Sequence, residues 1–286
     1  MTNRSRRHHY IPKFLTKGFG DEKGLLFVYN KVNDEILKVR KSPKGIFFEF
    51  ERNTIEGKDQ ENDSSIEDVF FKELDDKSAT VVQKFQDGKI NDELFSEHNL
   101  ADLQFFIINL FWRIPKTDYA AKDLVERAEI KINGENISDE IRNHPSFVKL
   151  NRVRFFKETI EQFDSQLNKP KRYYIQVSEF EENLFLIGDY PIIYRNYMSQ
   201  FTDLVQSEFK MAISSKRIIS FALEQIPNFK KSLFLRYNAT IIDQSQTYVA
   251  SGDIKLLQAS IEYYKALKEK GWNYVAKELL FRENTK

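Results

Sequence analysis

The stretch LADLQFFIINLFW, residues 100–112, decides how the rest of this sequence is arranged. Its apolar residues recur at helical spacing and cover most of the helix surface, which is typical of a buried helix. We therefore predict a helix over residues 92–112 and expect it to be the most buried helix of the fold. Gln104 and Asn109 interrupt its apolar run, which stays well short of the roughly 18 residues that cross a membrane.

On the N-terminal side of this stretch, the sequence predicts another helix and, before that, strands. Ser64 and Glu67 have the spacing of a capping box, and apolar residues then keep helical spacing as far as residue 90. We expect Glu67 to serve as the capping partner of Ser64, outside any functional site. Residues 25–29 and 35–39 are rich in strand-forming residues and flank a polar turn, which predicts a hairpin.

On the C-terminal side, helices are predicted over residues 118–130 and 145–167, and strands begin after Pro170. The predicted strands are residues 172–177, 184–187, 192–194, 209–213 and 217–222. The last two flank Ser214 and Ser215, which predicts a hairpin. Two helices, over residues 230–244 and 252–268, follow.

The order strands, helices, strands, helices favours an α+β fold over an alternating one. It would comprise an N-terminal hairpin, a long helical middle, a second antiparallel strand region and C-terminal helices. Because no Pro/Gly/Ser-rich linker interrupts the chain, we expect residues 1–286 to form a single compact domain. Its sub-regions would be residues 1–60, 61–168 and 169–286.

Composition excludes several classes of protein. The 286 residues contain no cysteine, which excludes disulfides and thiolate metal sites and fits a reducing, cytoplasmic location. With 25 Phe and 13 Tyr there is ample material for a packed core. No membrane-spanning or signal segment is apparent. A net charge of +1 gives no global attraction to polyanions, so a nucleic acid or nucleotide would need a local basic patch.

Three short motifs each place a polar residue within a few positions of a proline. They are HHYIPKFL at residues 8–15, with Gly18 and Phe19 just after, WRIP at residues 112–115, and LIGDYP at residues 186–191. Proline fixes its own φ and restricts the preceding residue, so each polar group is expected at a stiff corner of the backbone. Such a corner suits a preorganised site and is equally typical of an ordinary rigid turn.

Together the three motifs resemble the mainly bacterial family called domain of unknown function 4238. That family has a His-His-x-x-Pro-x-Phe-x-Leu opening, an Arg-x-Pro middle motif and a Ser-Asp-Asn-Pro turn. Here Gly188 stands in place of the Ser and Tyr190 in place of the Asn. The resemblance extends from residue 8 to about residue 240. It implies a shared architecture and a candidate site, and no reaction, because none is established for the family.

The first motif supplies the candidate catalytic residues His8 and His9. Adjacent side chains of an extended segment point to opposite faces, so one imidazole would face a site as general base or anion contact. Arg7 and Tyr10, on either side, are candidate substrate-binding residues. The same segment is also typical of a histidine-bearing tail packed on the surface.

The other two motifs and one further position complete the candidate site. Arg113 could hold a phosphate or carboxylate in a forked geometry, or bind the last carbonyls of its own helix. Asp189, the third candidate catalytic residue, could activate water or bind a metal, although capping of its own turn is the favoured interpretation. Asn238 is a candidate for binding substrate or orienting another side chain.

Two functional hypotheses follow. In the first, the chain is a hydrolase-like enzyme for a phosphate-bearing substrate, a nucleotide or a nucleic acid, with His8 or His9 as base and Arg113 stabilising charge. Such chemistry would fit a nuclease in bacterial phage defence, and a divalent metal ion is compatible with it. In the second, the chain is a noncatalytic interaction or sensor protein whose motifs are structural corners and whose charged or amphipathic helices bind a partner.

Overall fold

The computed structural model describes residues 6–56, 62–127, 131–132, 134–167, 174–196, 207–222, 224 and 227–282. Within them, nine α-helices combine with antiparallel strands, so the α+β class is confirmed. One cluster of buried apolar side chains extends from Tyr10 near the N-terminus to Phe281 in the last helix. This continuous core supports the predicted single domain, which stays a prediction.

The N-terminal region consists of short strands around one short helix. The predicted hairpin is confirmed: β2 and β3 pair with Tyr29 opposite Ile36, and the Asn30 side chain accepts the N–H of Val32 in the turn. The pairing of β1 with β4, by contrast, joins segments some 40 residues apart and was not predicted. The elements are β1 (Arg7–His9), α1 (Lys13–Lys17), β2 (Phe27–Asn30), β3 (Glu35–Ile36), β4 (Phe48–Phe50), β5 (Ile55–Glu56) and β6 (Asn62–Asp63).

The middle of the chain is helical, as predicted. A π-helix (Ile66–Phe71) leads into α2 (Lys72–Asp87), and α3 (Glu97–Arg113) is buried on nearly all sides. The predicted start of α3 at residue 92 is wrong because the Ser96 hydroxyl accepts the N–H of Asn99 and caps the helix there. The remaining elements are α4 (Asp118–Arg127), β7 (Lys131–Ile132), β8 (Glu135–Asn136), α5 (Asp139–Asn143) and α6 (Pro145–Leu167).

The C-terminal region contributes strands to two four-stranded sheets and contains three helices. One sheet has the order β11-β12-β13-β9 and includes the predicted hairpin of residues 209–222. The other has the order β10-β14-β2-β3, so it joins the two ends of the chain. The elements are β9 (Tyr174–Glu179), β10 (Ile187–Gly188), β11 (Ile192–Tyr194), β12 (Phe209–Ala212), β13 (Arg217–Ala222), α7 (Phe234–Gln244), β14 (Tyr248–Ser251), α8 (Ile254–Glu269) and α9 (Asn273–Arg282).

One strand prediction is corrected in this region, and two elements were missed. The strand predicted over residues 184–187 is a strand only from Ile187, because the N–H groups of Leu184 and Phe185 bind the Ser215 carbonyl instead of a neighbouring strand. Strand β14 and helix α9 were not predicted. Within the described residues, no helix has both the length and the hydrophobicity that a bilayer crossing requires.

Candidate functional site

The two adjacent histidines of β1 point in opposite directions, as an extended strand requires. His8 is fully buried, and its Nδ1 accepts the backbone N–H of Asn53 at 3.0 Å. Nδ1 therefore carries no proton, and the proton of the neutral ring lies on Nε2. That Nε2 atom is buried without a hydrogen-bond partner. His8 thus presents one unsatisfied donor inside the protein.

Glu67 lies at the centre of the polar cluster around His8, so the expectation that it caps its own helix is wrong. Its Oε2 accepts from the Asn53 side-chain amide at 2.7 Å and lies 4.0 Å from His8 Nδ1. The Ser64 hydroxyl donates to the Asp68 carboxylate instead. The sequence did contain a signal, because Glu67, Phe71 and Leu74 have the i, i+4, i+7 spacing of one inward helix face.

Arg113 is buried between α3 and the start of α2. Its Nη1 donates to Asp75 Oδ1 at 2.5 Å, its Nη2 lies 4.0 Å from Glu67, and its guanidinium lies 4.7 Å from the centre of the Phe71 ring. Its Nε is a second buried donor without a partner. The guanidinium therefore hydrogen-bonds Asp75 of α2 and lies near Glu67 of the π-helix, and forked binding of a phosphate or carboxylate stays a prediction.

A second set of charged residues surrounds Asn53 and was not predicted. Arg152 donates to the Asn53 side-chain oxygen at 3.0 Å and to Asp118 at 3.2 Å, and Arg52 donates to both oxygens of Asp118. Burial and the charge of Arg52 lower the pKa of Arg152 to about 10, so the guanidinium keeps its charge at neutral pH. These residues come from three distant segments, and no local motif marks them.

His9 lies where the cluster approaches the surface. Its side chain packs on Phe48, and its Nε2 lies 3.3 Å from the Lys44 carbonyl, which requires Nε2 to be the donor. Burial and the positive charges of Lys13, Arg113 and Arg7 lower the pKa of the imidazole to about 4, against a smaller opposing effect of the Lys44 carbonyl. His9 is therefore neutral at neutral pH, with Nδ1 as its proton acceptor.

The neighbours of the two histidines have different surroundings. Arg7 is exposed, with its guanidinium 4.9 Å from the centre of the Phe48 ring. Tyr10 is buried, and burial together with the negative charge of Asp189 raises the pKa of its hydroxyl. Tyr10 thus lies between the histidine cluster and the third motif.

The Asp189 carboxylate is held by the loop between α7 and β14. Its carboxylate accepts the backbone N–H groups of Gln246, Thr247 and Tyr248 at 2.6 to 2.9 Å. Burial raises the pKa of Asp189, and these three hydrogen bonds oppose the rise. The carboxylate thereby fixes the loop between α7 and β14. Asp189 has the structural capping role that was favoured, but it caps this distant loop and not its own turn, so that part of the expectation is wrong.

Asn238 is also fully used by neighbouring groups. Its side-chain oxygen accepts the Leu186 N–H at 3.1 Å, and its amide donates to the Leu184 carbonyl and to Ser260. These bonds hold residues 184–186 against α7 and α8. Nothing joins Asn238 to the histidine cluster within the described residues.

Two unusual backbone features flank the histidine cluster. Phe47 and Glu51, on either side of β4, have φ values of 56° and 54°, which side chains of their size rarely adopt. The π-helix that carries Glu67 is a rare conformation, often found at functional sites. Strained backbone persists only where surrounding contacts enforce it, so the local structure here is tightly determined.

The structure thus brings His8, His9 and Arg113 into one cluster, with Arg7 and Tyr10 on the same segment and Glu67 at its centre. Asp189 acts on the cluster only through its charge near Tyr10, and Asn238 lies apart. Among the described side chains, no group of three or more His, Asp and Glu has the arrangement of a metal site.

Comparison with known proteins gives one match. The family described as "Protein of unknown function (DUF4238)" matches residues 7–255, a span that contains all three proline motifs and every candidate residue. No curated protein and no solved protein structure matches the sequence.

Proposed function

The chain belongs to the DUF4238 family. Because the family description gives no function, we propose from the geometry of the site that the chain is a hydrolase-like enzyme for a phosphate-bearing substrate, a nucleotide or a nucleic acid. The substrate would bind at the N-terminal edge, which we define as Arg7, His9 and Lys13. The positive charge of the buried Arg113 also acts on His9 there. The observation that carries the proposal is the state of His9. It is a neutral imidazole at the rim of a buried cluster, with three positive charges acting on it.

Of the three cations that act on His9, Arg7 and Lys13 are exposed and form the local basic patch that a protein of near-zero net charge needs to bind a polyanion, while Arg113 is buried. Burial is the largest cause of the low pKa of His9, and the charges of Lys13, Arg113 and Arg7 add to it; a phosphate group bound there would offset the part that these charges cause. Its pKa would then rise from about 4 toward the pH at which a general base works best. His9 Nδ1 would accept a proton from water or from a substrate hydroxyl, while the Nε2–H bond to Lys44 fixes the orientation of the ring.

The buried cluster around His8 and Arg113 contains two unsatisfied donors, although His8 points away from His9. His8 Nε2 and Arg113 Nε each lack a partner, and a buried unsatisfied donor costs about 1 to 3 kcal/mol. An oxygen of a phosphate, or of an ordered water, would satisfy either donor. Glu67 and Asp75 hold the Arg113 guanidinium in place from the other side.

A second candidate function is favoured by a different observation. Asp189 and Asn238 have their polar atoms engaged by backbone and by Ser260, which is the pattern of structural corners. If the first motif is a structural corner too, the chain is a noncatalytic interaction or sensor protein.

The two functions are separated by His9→Gln, compared with His98→Gln as the matched control. Gln keeps an amide donor for the Lys44 carbonyl and lacks the basic Nδ1, while His98 is exposed at the start of α3. Binding and cleavage of RNA, DNA and nucleotides would be measured with and without Mg²⁺ or Mn²⁺. We expect His9→Gln to lower the rate about 10² to 10⁴-fold without lowering the melting temperature, and His98→Gln to leave the rate unchanged.

The enzyme proposal fails if the intact protein neither binds nor cleaves any of these substrates. It also fails if His9→Gln cleaves as fast as the unsubstituted protein. Binding without cleavage, retained in His9→Gln, supports the noncatalytic alternative.

A further inference from the structure

A cavity of about 390 Å³ lies on the side of the molecule formed by the second and third motifs, away from His8 and Glu67. Its volume falls within the range of small-molecule sites. It is bounded by the turn after α3, by β11 and the turn before it, and by the facing ends of α7 and α9. The side chains that matter for its chemistry are Lys116, Tyr119, Tyr190, Tyr194, Asp243 and Lys277.

Two of the proline corners build one wall of this cavity. Lys116 follows Pro115, and Tyr190 precedes Pro191. The Lys116 ammonium donates to the Gln244 carbonyl at 2.5 Å and lies 5.0 Å from the centre of the Tyr190 ring. The Gln244 side chain in turn donates to the Tyr190 and Ile192 carbonyls. This wall is therefore cross-linked by hydrogen bonds and does not depend on a loose loop.

Two buried polar atoms at the cavity wall lack a partner. Tyr194 is buried between Phe111 and Phe209, and its hydroxyl makes no hydrogen bond. Burial raises the pKa of Tyr194, so the hydroxyl keeps its proton and is a donor. The side-chain oxygen of Asn273 is an unsatisfied acceptor, while its amide donates to Asp243. A donor and an acceptor at the same cavity would both be satisfied by a polar ligand.

The charges at the cavity favour an anion. Lys116 and Lys277 lie close enough for the charge of Lys277 to act on Lys116. Burial lowers the pKa of both ammonium groups, because neither is fully solvated. The charges of Asp189 and Asp243 act on Lys116 in the opposite direction and more strongly than that of Lys277. The ionisable lining still holds two lysines against the one carboxylate of Asp243, so an anionic group there would be attracted by both ammonium groups.

The aromatic lining favours a flat ring as the other part of the ligand. Four tyrosines, at positions 119, 190, 194 and 274, line the cavity, and Tyr119 and Tyr274 are largely exposed at its mouth. Tyrosine rings give a large apolar surface for stacking at little conformational cost. A small molecule that contains both a planar ring and an anionic group would match the tyrosines and the lysines of the lining together.

We propose that this cavity binds a small anion that carries a planar ring, with the ring against the tyrosines and the anionic group near Lys116 and Lys277. Two sources share this chemistry, a nucleoside monophosphate and an aromatic carboxylate. The site is separate from the His9 edge and does not rest on the hydrolase proposal.

The test is isothermal titration of the 286-residue chain with AMP, UMP, adenosine, inorganic phosphate and 4-hydroxybenzoate. We expect a ring-bearing anion to bind at least tenfold more tightly than adenosine or phosphate. AMP or UMP binding assigns a phosphate ligand, and 4-hydroxybenzoate binding assigns a carboxylate. The proposal is overturned if no ring-bearing anion binds at millimolar concentration, or if inorganic phosphate alone binds as tightly.

Two substitutions locate the binding, with Tyr263→Phe on α8 as the control outside the cavity. Lys277→Gln should weaken binding of the ring-bearing anion at least tenfold. Tyr194→Phe removes only the unsatisfied hydroxyl, so it should weaken binding about fivefold while the melting temperature stays equal or rises. Binding that is unchanged in both variants overturns the assignment. His9→Gln should leave this binding intact, which separates the failure of one site from the failure of the other.

Discussion

The corner at His8–Pro12 and the corner at Asp189–Pro191 have the same kind of sequence, a polar residue a few positions before a proline, and they use it differently. At the second corner, three backbone N–H groups of the neighbouring loop satisfy the Asp189 carboxylate. At the first, His8 keeps an unsatisfied Nε2 and His9 stays neutral among cations. A proline corner therefore becomes a candidate site only where the surrounding backbone leaves the polar group unsatisfied.

The largest effect expected from this comparison is the loss of the Asp189 carboxylate. Asp189→Ala removes a buried carboxylate and leaves three backbone N–H groups without their acceptor, and we expect it to destabilise the fold by about 4 kcal/mol. Asp253 is the matched control, because it accepts two backbone N–H groups at the N-terminus of α8, where solvent reaches them. Asp253→Ala should cost about 1 kcal/mol.

Urea unfolding of the two variants measures the difference. Equal losses would show that Asp189 contributes no more than an ordinary helix cap. The contrast between the two corners would then disappear.

The next largest effect is expected at Arg113. Its guanidinium binds a carboxylate inside the protein, and its charge also acts on His9 in the candidate site. Arg113→Met removes the partner of Asp75 and the neighbour of Glu67, and we expect a loss of about 3 kcal/mol because two carboxylates lose their compensating charge. The exposed pair of Arg127 and Asp123 on α4 gives the control. Arg127→Met should change the free energy of unfolding by less than about 0.5 kcal/mol.

Thermal and urea unfolding of both variants would test this. An Arg113→Met protein as stable as the unsubstituted chain would mean that the buried ion pair has no net effect. Arg113 would then contribute little to stability, and a direct role in ligand binding would be the stronger explanation for a buried arginine at this position.

The third effect is a pH dependence of the free energy of unfolding, caused by His9 at the first corner. The pKa of His9 is about 4 in the folded chain and 6.5 by default, so between these values the unfolded chain binds a proton that the folded chain does not. The free energy of unfolding is therefore highest, as far as His9 is concerned, above pH 6.5. It falls by about 2 to 3 kcal/mol as the pH falls toward 4, because protonation of His9 then favours the unfolded chain. His9→Gln should remove this part of the pH dependence.

The measurement is the free energy of unfolding at pH 7.0, 5.5 and 4.5 for the unsubstituted chain and for His9→Gln. Identical slopes in the two proteins would contradict the low pKa. The proposed response of His9 to a bound phosphate would lose its basis with it.

The helical part of the fold was predictable because its signal is local. Residues 66–87 and 97–113 carry many turns of regular apolar spacing, and a shifted start such as that of α3 changes only the first turn. Strands β1 and β14 are three and four residues long, and each pairs with a segment far away in sequence. Neither has a local pattern long enough to detect, because the partner supplies half of the hydrogen bonds.

The candidate site was predictable only in part for the same reason. His8, His9 and Arg113 stand beside prolines, so their positions are marked in the sequence. Asn53 and Glu67 belong to the cluster because of contacts with residues from other segments. Asn53, for example, donates its backbone N–H to His8, which is 45 residues away in sequence. Glu67 was assigned to a local cap because a capping box needs only four residues to recognise, whereas its actual partners come from other segments.

The smallest effect tests that error directly. The hydroxyl of Ser64 contacts Asp68 and not Glu67, and both side chains of this contact are exposed. Ser64→Ala should therefore cost no more than about 0.5 kcal/mol, whereas Glu67→Ala should cost about 2 kcal/mol, because Asn53 loses its acceptor and Arg113 a neighbouring carboxylate. In a double-mutant cycle the two losses should add, since the side chains do not touch. A coupling energy above about 0.5 kcal/mol would indicate that Ser64 and Glu67 do interact as a capping box, against the assignment of Glu67 to the cluster around His8.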